Sequence, residues 1–199
     1  MNIEKTNRIR SDNNRYKNYY TKEYLMGPNA FLLLDELVTK TESAVKGRVL
    51  DLGCGDALRL PFAKEYFDVI ISVDSYHYYG CAEGVFDDNI LPFVKKGGYV
   101  LLAMPGLKYN PTGNELELLK EWAADGDDET FHTMDWWKEH LVKNVSDQIE
   151  IDVYEADCYD KAWEDWFATG HEFGLRDKKY LDKGLYNLLN FVMVCIRKK

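Results

Sequence analysis

The chain has 199 residues, 25 Lys and Arg against 34 Asp and Glu, a formal net charge of -9, and 46% hydrophobic residues. That length suits one α/β domain with a sizeable core, and the acidic balance argues against a nucleic-acid-binding surface, because phosphates need a basic footprint. No Pro/Gly/Ser-rich linker, internal repeat, charged-then-apolar leader or bilayer-length apolar run stands out. Cys54, Cys81, Cys158 and Cys195 show no paired spacing and read as reduced thiols of a cytoplasmic protein. His132 and His140 have no cysteine beside them, so no metal site is expected.

In chain order, residues 1–25 form an N-terminal arm, locally basic and tyrosine-rich. It reads either as a frayed, solvated arm or as a flap that orders over a ligand. Residues 26–199 read as a single domain. "GPNAFLLLDELVTKT" has helical apolar spacing with Asn29 as a cap. "RVLDLG" and "FDVIISVD" are short apolar runs, hence buried strands. "GVFDDNILPFVKK" reads as a helix interrupted or ended near Pro92, and "GGYVLLAMPG" as a third buried strand. "NELELLKEWAAD" is an amphipathic helix, and "TMDWWKEHLVKN" is another, capped by Thr133. "IEIDVYEAD" alternates apolar and acidic residues, as a strand near a sheet edge does. "DKAWEDWFATG" is helical with its aromatics on one side, and "FVMVCIRKK" closes the chain as a strand. Strands alternating with helices give a mostly parallel sheet covered on both faces.

In "DLGCGD", Asp51 ends a buried strand and Gly53 and Gly55 follow. Glycines there let a backbone turn sharply and approach a ligand closely, at the sheet edge where such folds bind small molecules. The stretch "LPFAKEYFDVIISVDSYHYYG" and then "LPFVKKGGYVLLAMPG" follow in order. On these motifs the chain resembles the class I S-adenosylmethionine-dependent methyltransferases, from about Met26 to the end. It is most similar to their small-molecule branch and distantly like the cyclopropane-fatty-acid synthase group.

In that family a helix, a strand, another helix and a third strand separate the glycine turn from the fourth strand. Here Gly55 and Phe67 leave room for one short connection. The resemblance implies an internal deletion of one βαβα unit, ~30 residues or more. The expected fold is a shortened Rossmann-like methyltransferase fold with about five strands, order 1-4-5-7-6 in family terms, and helices on both faces. The first strand then becomes a bare edge, which a partner chain, as in a homodimer, or a rearranged segment would cover. A rival register makes "ALRLPFAKEY" the first crossover helix and Asp74 the ribose-binding acid of a dinucleotide-dependent oxidoreductase. Pro61 breaks that helix, and Leu58 stands where the third glycine belongs.

The resemblance implies S-adenosyl-L-methionine as cofactor, held by Asp51, Gly53 and Gly55 with Met26 and Gly27 closing over it. Asp56 matches the acid that reaches the adenine amine, displaced here to the glycine turn. The ribose-binding acid has no counterpart. His77 and Tyr78 would line the methyl-transfer position or simply cap the sheet. Trp163, Trp166 and His171 fall in the variable substrate-side insertion and read mainly as core. The implied function is methyl transfer to an unidentified small molecule, impaired by loss of part of the cofactor pocket. The alternative is a non-catalytic remnant of the fold that acts through oligomerisation.

Overall fold

In the computed structural model, which describes residues 21–23, 25–41, 45–53, 60–123 and 126–199, the first regular element is helix α1 (Ala30–Lys40). Asn29 caps it, its side-chain oxygen accepting from the Phe31 N–H at 3.1 Å. Leu32, Leu33, Glu36 and Leu37 are its buried residues. Most of the predicted N-terminal arm, residues 1–20 and 24, lies outside the described residues.

The strands are β1 (Val49–Asp51), β2 (Phe67–Val73), β3 (Val94–Leu107), β4 (Ile149–Glu155) and β5 (Leu189–Lys198). They form one sheet of order β1-β2-β3-β5-β4. β1 pairs directly and in parallel with β2, Val49 opposite Val69. β2 pairs in parallel with β3, and β5 runs antiparallel between β3 and β4. This is the expected 1-4-5-7-6 order, and residues 60–66, where the rival register needs a helix, contain none. Among the described residues β1 is the outermost strand, with Val49 44% exposed and three residues in the ladder.

Between the strands run the short helices α2 (His77–Gly80) and α3 (Val85–Asn89), then α4 (Asn114–Ala123) and α5 (Met134–Val142), with α6 (Tyr159–Ala168), α7 (Glu172–Tyr180) and α8 (Tyr186–Leu188) before β5. Thr133 caps α5 through its hydroxyl, as its position in the sequence implies. The helix read over residues 84–96 as interrupted or ended near Pro92 does end just before that proline. It stops at Asn89, one 3-10 turn (Leu91–Phe93) follows, and β3 already starts at Val94. The start of β3 pairs irregularly with β2. Gly97 adopts φ 76 where the register slips from Phe67 opposite Val94 to Val69 opposite Tyr99. Lys95 pairs with Asp68 at 2.7 Å and holds the bulged strand against β2.

Period-two alternation divides the core between the faces of the sheet. Val69, Ile71, Leu101, Phe191 and Met193 face α1, α6 and α7, where Trp163 and Trp166 pack. Ile70, Val100, Leu102, Val192 and Val194 face the other side, against Phe86, Trp137 and Leu141. The fully buried Glu36 joins two elements of the first face. Its carboxylate accepts the N–H groups of Asp157 and Cys158, each at 3.0 Å, at the start of α6, and pairs with Lys40 at 3.2 Å.

Candidate active site

The site lies past the C-terminal ends of β1, β2 and β3. Parallel strands end there together, and the loops that follow splay apart to leave a crevice. The segment from Met26 to Pro28 crosses this end as a strap. It is anchored by Asn29, whose N–H donates to the Ala162 carbonyl at 3.1 Å and whose amide donates to Asp165 at 2.7 Å. Beneath the strap is a pocket of about 390 Å³ lined by Met26, Gly27, Asp51, Gly53, Asp74 and Ser75, among others.

Close approach, not a left-handed turn, demands glycine at position 53. A Cβ on Gly53 would lie 2.6 Å from the Ser75 hydroxyl. That hydroxyl is fixed, donating to the Leu52 carbonyl at 3.2 Å and bonding Ser72 Oγ at 2.8 Å. On the strap, a Cβ on Gly27 would lie 2.9 Å from Asp74 Oδ2. The two glycines keep the pocket walls as bare backbone.

A second pocket, of about 380 Å³, shares Met26, Gly27, Pro28 and Asp74 with the first and continues to His77, Tyr78 and the aromatic side of the domain. His77 and Tyr78, adjacent in sequence, divide at the turn into α2. His77 is 1% exposed at the pocket wall, and neither of its ring nitrogens has a hydrogen-bond partner. Tyr78 stands at the rim, 58% exposed. Burial pushes the His77 ring down from 6.5 to about 4, so it stays neutral at physiological pH.

Of the residues expected at a cofactor site, Met26, Gly27, Asp51 and Gly53 come together in the first pocket, while Gly55 and Asp56 lie outside the described residues. His77 and Tyr78 line the second pocket, where Met26 and Gly27 recur. Trp163 and Trp166 pack as core, as expected, yet Trp163 also lines the second pocket. Sequence reasoning gave Asp74 a place only in the rival register, and missed Ser75, Phe131 and Arg176. For Asp74 the signal was available: it is the first polar residue after a buried parallel strand. Its backbone is left-handed, φ 55, which is uncommon without glycine. Burial and the negative charge of Asp177 push its carboxyl up to about 7.

The His77 shift has a measurable consequence. The unfolded chain takes a proton on this ring below 6.5, and the folded chain does so only below about 4. Folding therefore loses stability as pH falls through that window, by ~3 kcal/mol in all. Asp74 opposes this, since its raised carboxyl costs stability as pH rises toward about 7. The comparison must be between variants. Chemical denaturation of His77→Phe at several pH values should show a shallower acid loss than the parent, and equal slopes would refute the assignment.

Residues 33–102 match the family profile of a methyltransferase domain. The phosphoethanolamine N-methyltransferase 2 of Haemonchus contortus, solved with S-adenosyl-L-methionine, superposes with a TM-score of 0.66 at 15% identity, over 92% of this chain and 58% of that one. The geranyl diphosphate C-methyltransferase of Streptomyces coelicolor A3(2), solved with Mg2+, geranyl diphosphate and S-adenosyl-L-homocysteine, gives 0.58 at 11% identity, over 85% of this chain and 78% of that one. The MccD protein gives 0.58 at 11% identity, over 87% of this chain and 100% of that one. No curated protein matches the sequence. The chain thus spans little more than half the length of the Haemonchus enzyme. Its sheet order, the match over residues 33–102 and these superpositions together give it the fold of the S-adenosylmethionine-dependent methyltransferases.

Proposed function

We propose that the chain binds S-adenosylmethionine and transfers its methyl group to a small molecule. The observation that carries this reading is the pair of contiguous pockets at the C-terminal sheet edge, joined at the strap and Asp74. One wall is bare backbone at Gly53 and Gly27, where a Cβ would intrude. The methyl donor would sit in that cradle, and its sulfonium supplies an already activated methyl group. The protein's part is to align the acceptor and exclude water. Asp51, Gly53 and the strap residues Met26 and Gly27 would hold the donor, with Gly55 and Asp56 beside them in sequence. His77 and Tyr78 would line the transfer position.

The grip on the donor should be weak. β1 is the outermost strand, so among the described residues no further strand walls the adenosine side of the crevice. A missing hydrogen bond to a charged partner costs ~1.5–3 kcal/mol, roughly one to two orders of magnitude in affinity. Calorimetric titration of the purified chain with S-adenosylmethionine, and in parallel with NAD, tests the reading. The expected result is weak saturable binding of S-adenosylmethionine and none of NAD. Binding of NAD alone would return the site to the dinucleotide reading.

Among the described residues β1 is paired on one side only, which favours one second reading, a non-catalytic member of the fold that acts as a homodimer through that edge. Its mark is a concentration-dependent dimer by sedimentation, with no heat from either nucleotide. The free thiols of Cys81, Cys158 and Cys195 suit a reducing, cytoplasmic setting under both readings. Among the described residues no helix is long and apolar enough to cross a membrane.

A further inference from the structure

The second pocket carries information about the acceptor. Its walls are aromatic, with Tyr78, Trp122, Phe131, Trp163, Phe173 and Phe191 around it. Its charged residues are Asp74, Asp127, Arg176 and Asp177. Two of these are already engaged. Arg176 donates to the Trp122 carbonyl, and the Asp177 carboxylate accepts the indole N–H groups of Trp122 and Trp166, each at 2.9 Å. These neighbours also carry opposite charges that offset each other. Asp74 and Asp127 remain, and they leave the pocket negative.

Buried polar atoms independently mark the pocket as built for a ligand. His77 is 1% exposed and lines it, and neither of its ring nitrogens has a partner. Buried polar groups without partners are rare and call for an explanation. Asp74 adds a second sign. It lines both pockets, at their junction. Its left-handed backbone is the kind of local strain that collects at functional sites.

Building on the methyl-transfer reading, we propose that this pocket takes a cationic amine as the methyl acceptor, with Asp74 as its counter-charge and proton acceptor. An ammonium group is attracted to the faces of aromatic rings and to a carboxylate partly shielded from water, as Asp74 is. It has no lone pair, so one N–H bond must break before nitrogen can attack. The proton passes to the Asp74 carboxylate and the electron pair stays on nitrogen. Nitrogen then bonds the methyl carbon as the carbon–sulfur bond of the donor breaks, sulfur keeping that pair. The products are an N-methylammonium and a neutral thioether, and Asp74 returns its proton to water.

A carboxyl raised to about 7 is matched to that task near neutral pH. The other groups facing it are consistent with the role. Burial and the negative Asp177 hold its proton affinity up, Arg176 is tied to the Trp122 carbonyl, Tyr78 is held protonated by burial, and His77 is neutral.

The test uses three probes of like shape, benzylamine, benzyl alcohol and benzoate, each titrated into the full chain without methyl donor and followed by tryptophan fluorescence. Benzylamine should bind about tenfold more tightly than benzyl alcohol, and benzoate most weakly. Asp74→Asn should weaken benzylamine about tenfold and leave benzyl alcohol unchanged. Asparagine tolerates the left-handed backbone, so this variant should keep the fold. Should its thermal melt shift, Asp127→Asn provides a second variant, with a smaller loss for benzylamine alone. Equal affinity for amine and alcohol, tighter benzoate, no binding by any probe, or indifference of benzylamine to both variants would each overturn the proposal. Because no donor is present, a failure of S-adenosylmethionine to bind leaves this result standing. Donor binding without amine preference would sink only the present inference.

Discussion

Gly53→Val should abolish S-adenosylmethionine binding by the chain, with at least about a 100-fold loss in affinity. The reason is steric and local. At position 53 even a methyl would sit 2.6 Å from Ser75 Oγ and 3.3 Å from Ser75 Cβ. Ser75 cannot easily yield, because it belongs to a hydroxyl cluster with Ser72 that is bonded to the Leu52 carbonyl. Tyr79 completes the cluster with its hydroxyl 3.3 Å from Ser72 Oγ. A valine side chain must therefore turn into the pocket or push the Leu52–Gly53 backbone away from it. The double variant Gly53→Val/Ser75→Gly separates these outcomes. It relieves the clash but leaves the obstruction, so binding should stay lost while the melting temperature returns toward that of the parent. Calorimetry and a thermal melt on the same samples suffice. Parent-like affinity in Gly53→Val would place the donor elsewhere and remove the cradle argument.

Trp166→Ala should cost ~3–5 kcal/mol of folding stability, the range for truncating a buried large aromatic. This is a large share of the ~5–15 kcal/mol that holds a typical domain together. Trp166 is fully buried, its indole N–H donates to Asp177 at 2.9 Å, and its ring stacks on His171 at 5.1 Å. α7 crosses it at Gly174, where an added Cβ would meet the ring at 3.2 Å. Truncation leaves a void under α7 and frees one oxygen of Asp177, which also holds Trp122 at the acceptor pocket. Chemical denaturation should show the loss directly. Trp166→Phe, which keeps the packing and drops the N–H, should cost about 1–3 kcal/mol less than alanine. A loss below about 1 kcal/mol for alanine would mean that α7 does not depend on this contact.

The strand and helix sequence of the domain follows from local signals, because the forces involved are local. Buried strands need apolar runs, as in "FDVIISVD" and "FVMVCIRKK". Helix starts need a side-chain acceptor for free N–H groups, as Asn29 and Thr133 provide. Even the adjacency of β1 and β2 could be read from the sequence, since a connection so short leaves no chain for an intervening strand and helix pair. Local signals failed where a long-range contact set the outcome. β3 starts at Val94, before its glycines, because Lys95 finds Asp68 across the sheet and the three extra residues between the Val94 and Tyr99 pairings are taken up in an irregular stretch that includes Gly97. α7 has no clear apolar period, since Phe173 and Leu175 point outward and a glycine, Gly174, makes its contact with Trp166.

The site divides along the same line. The glycine turn, the strap and the His77–Tyr78 pair were legible as residue types at the end of a parallel strand. What each one faces was decided only in three dimensions. Asn29 ties the strap to α6, 136 positions away in sequence from Asp165. That distant contact brings Gly27 against Asp74 and makes Asp74 the junction of two pockets. The turn into α2 buries His77 and leaves its neighbour Tyr78 exposed. Sequence spacing fixes which residues share a strand or a helix face, whereas a pocket is closed by side chains from distant segments, whose meeting only the packed chain determines.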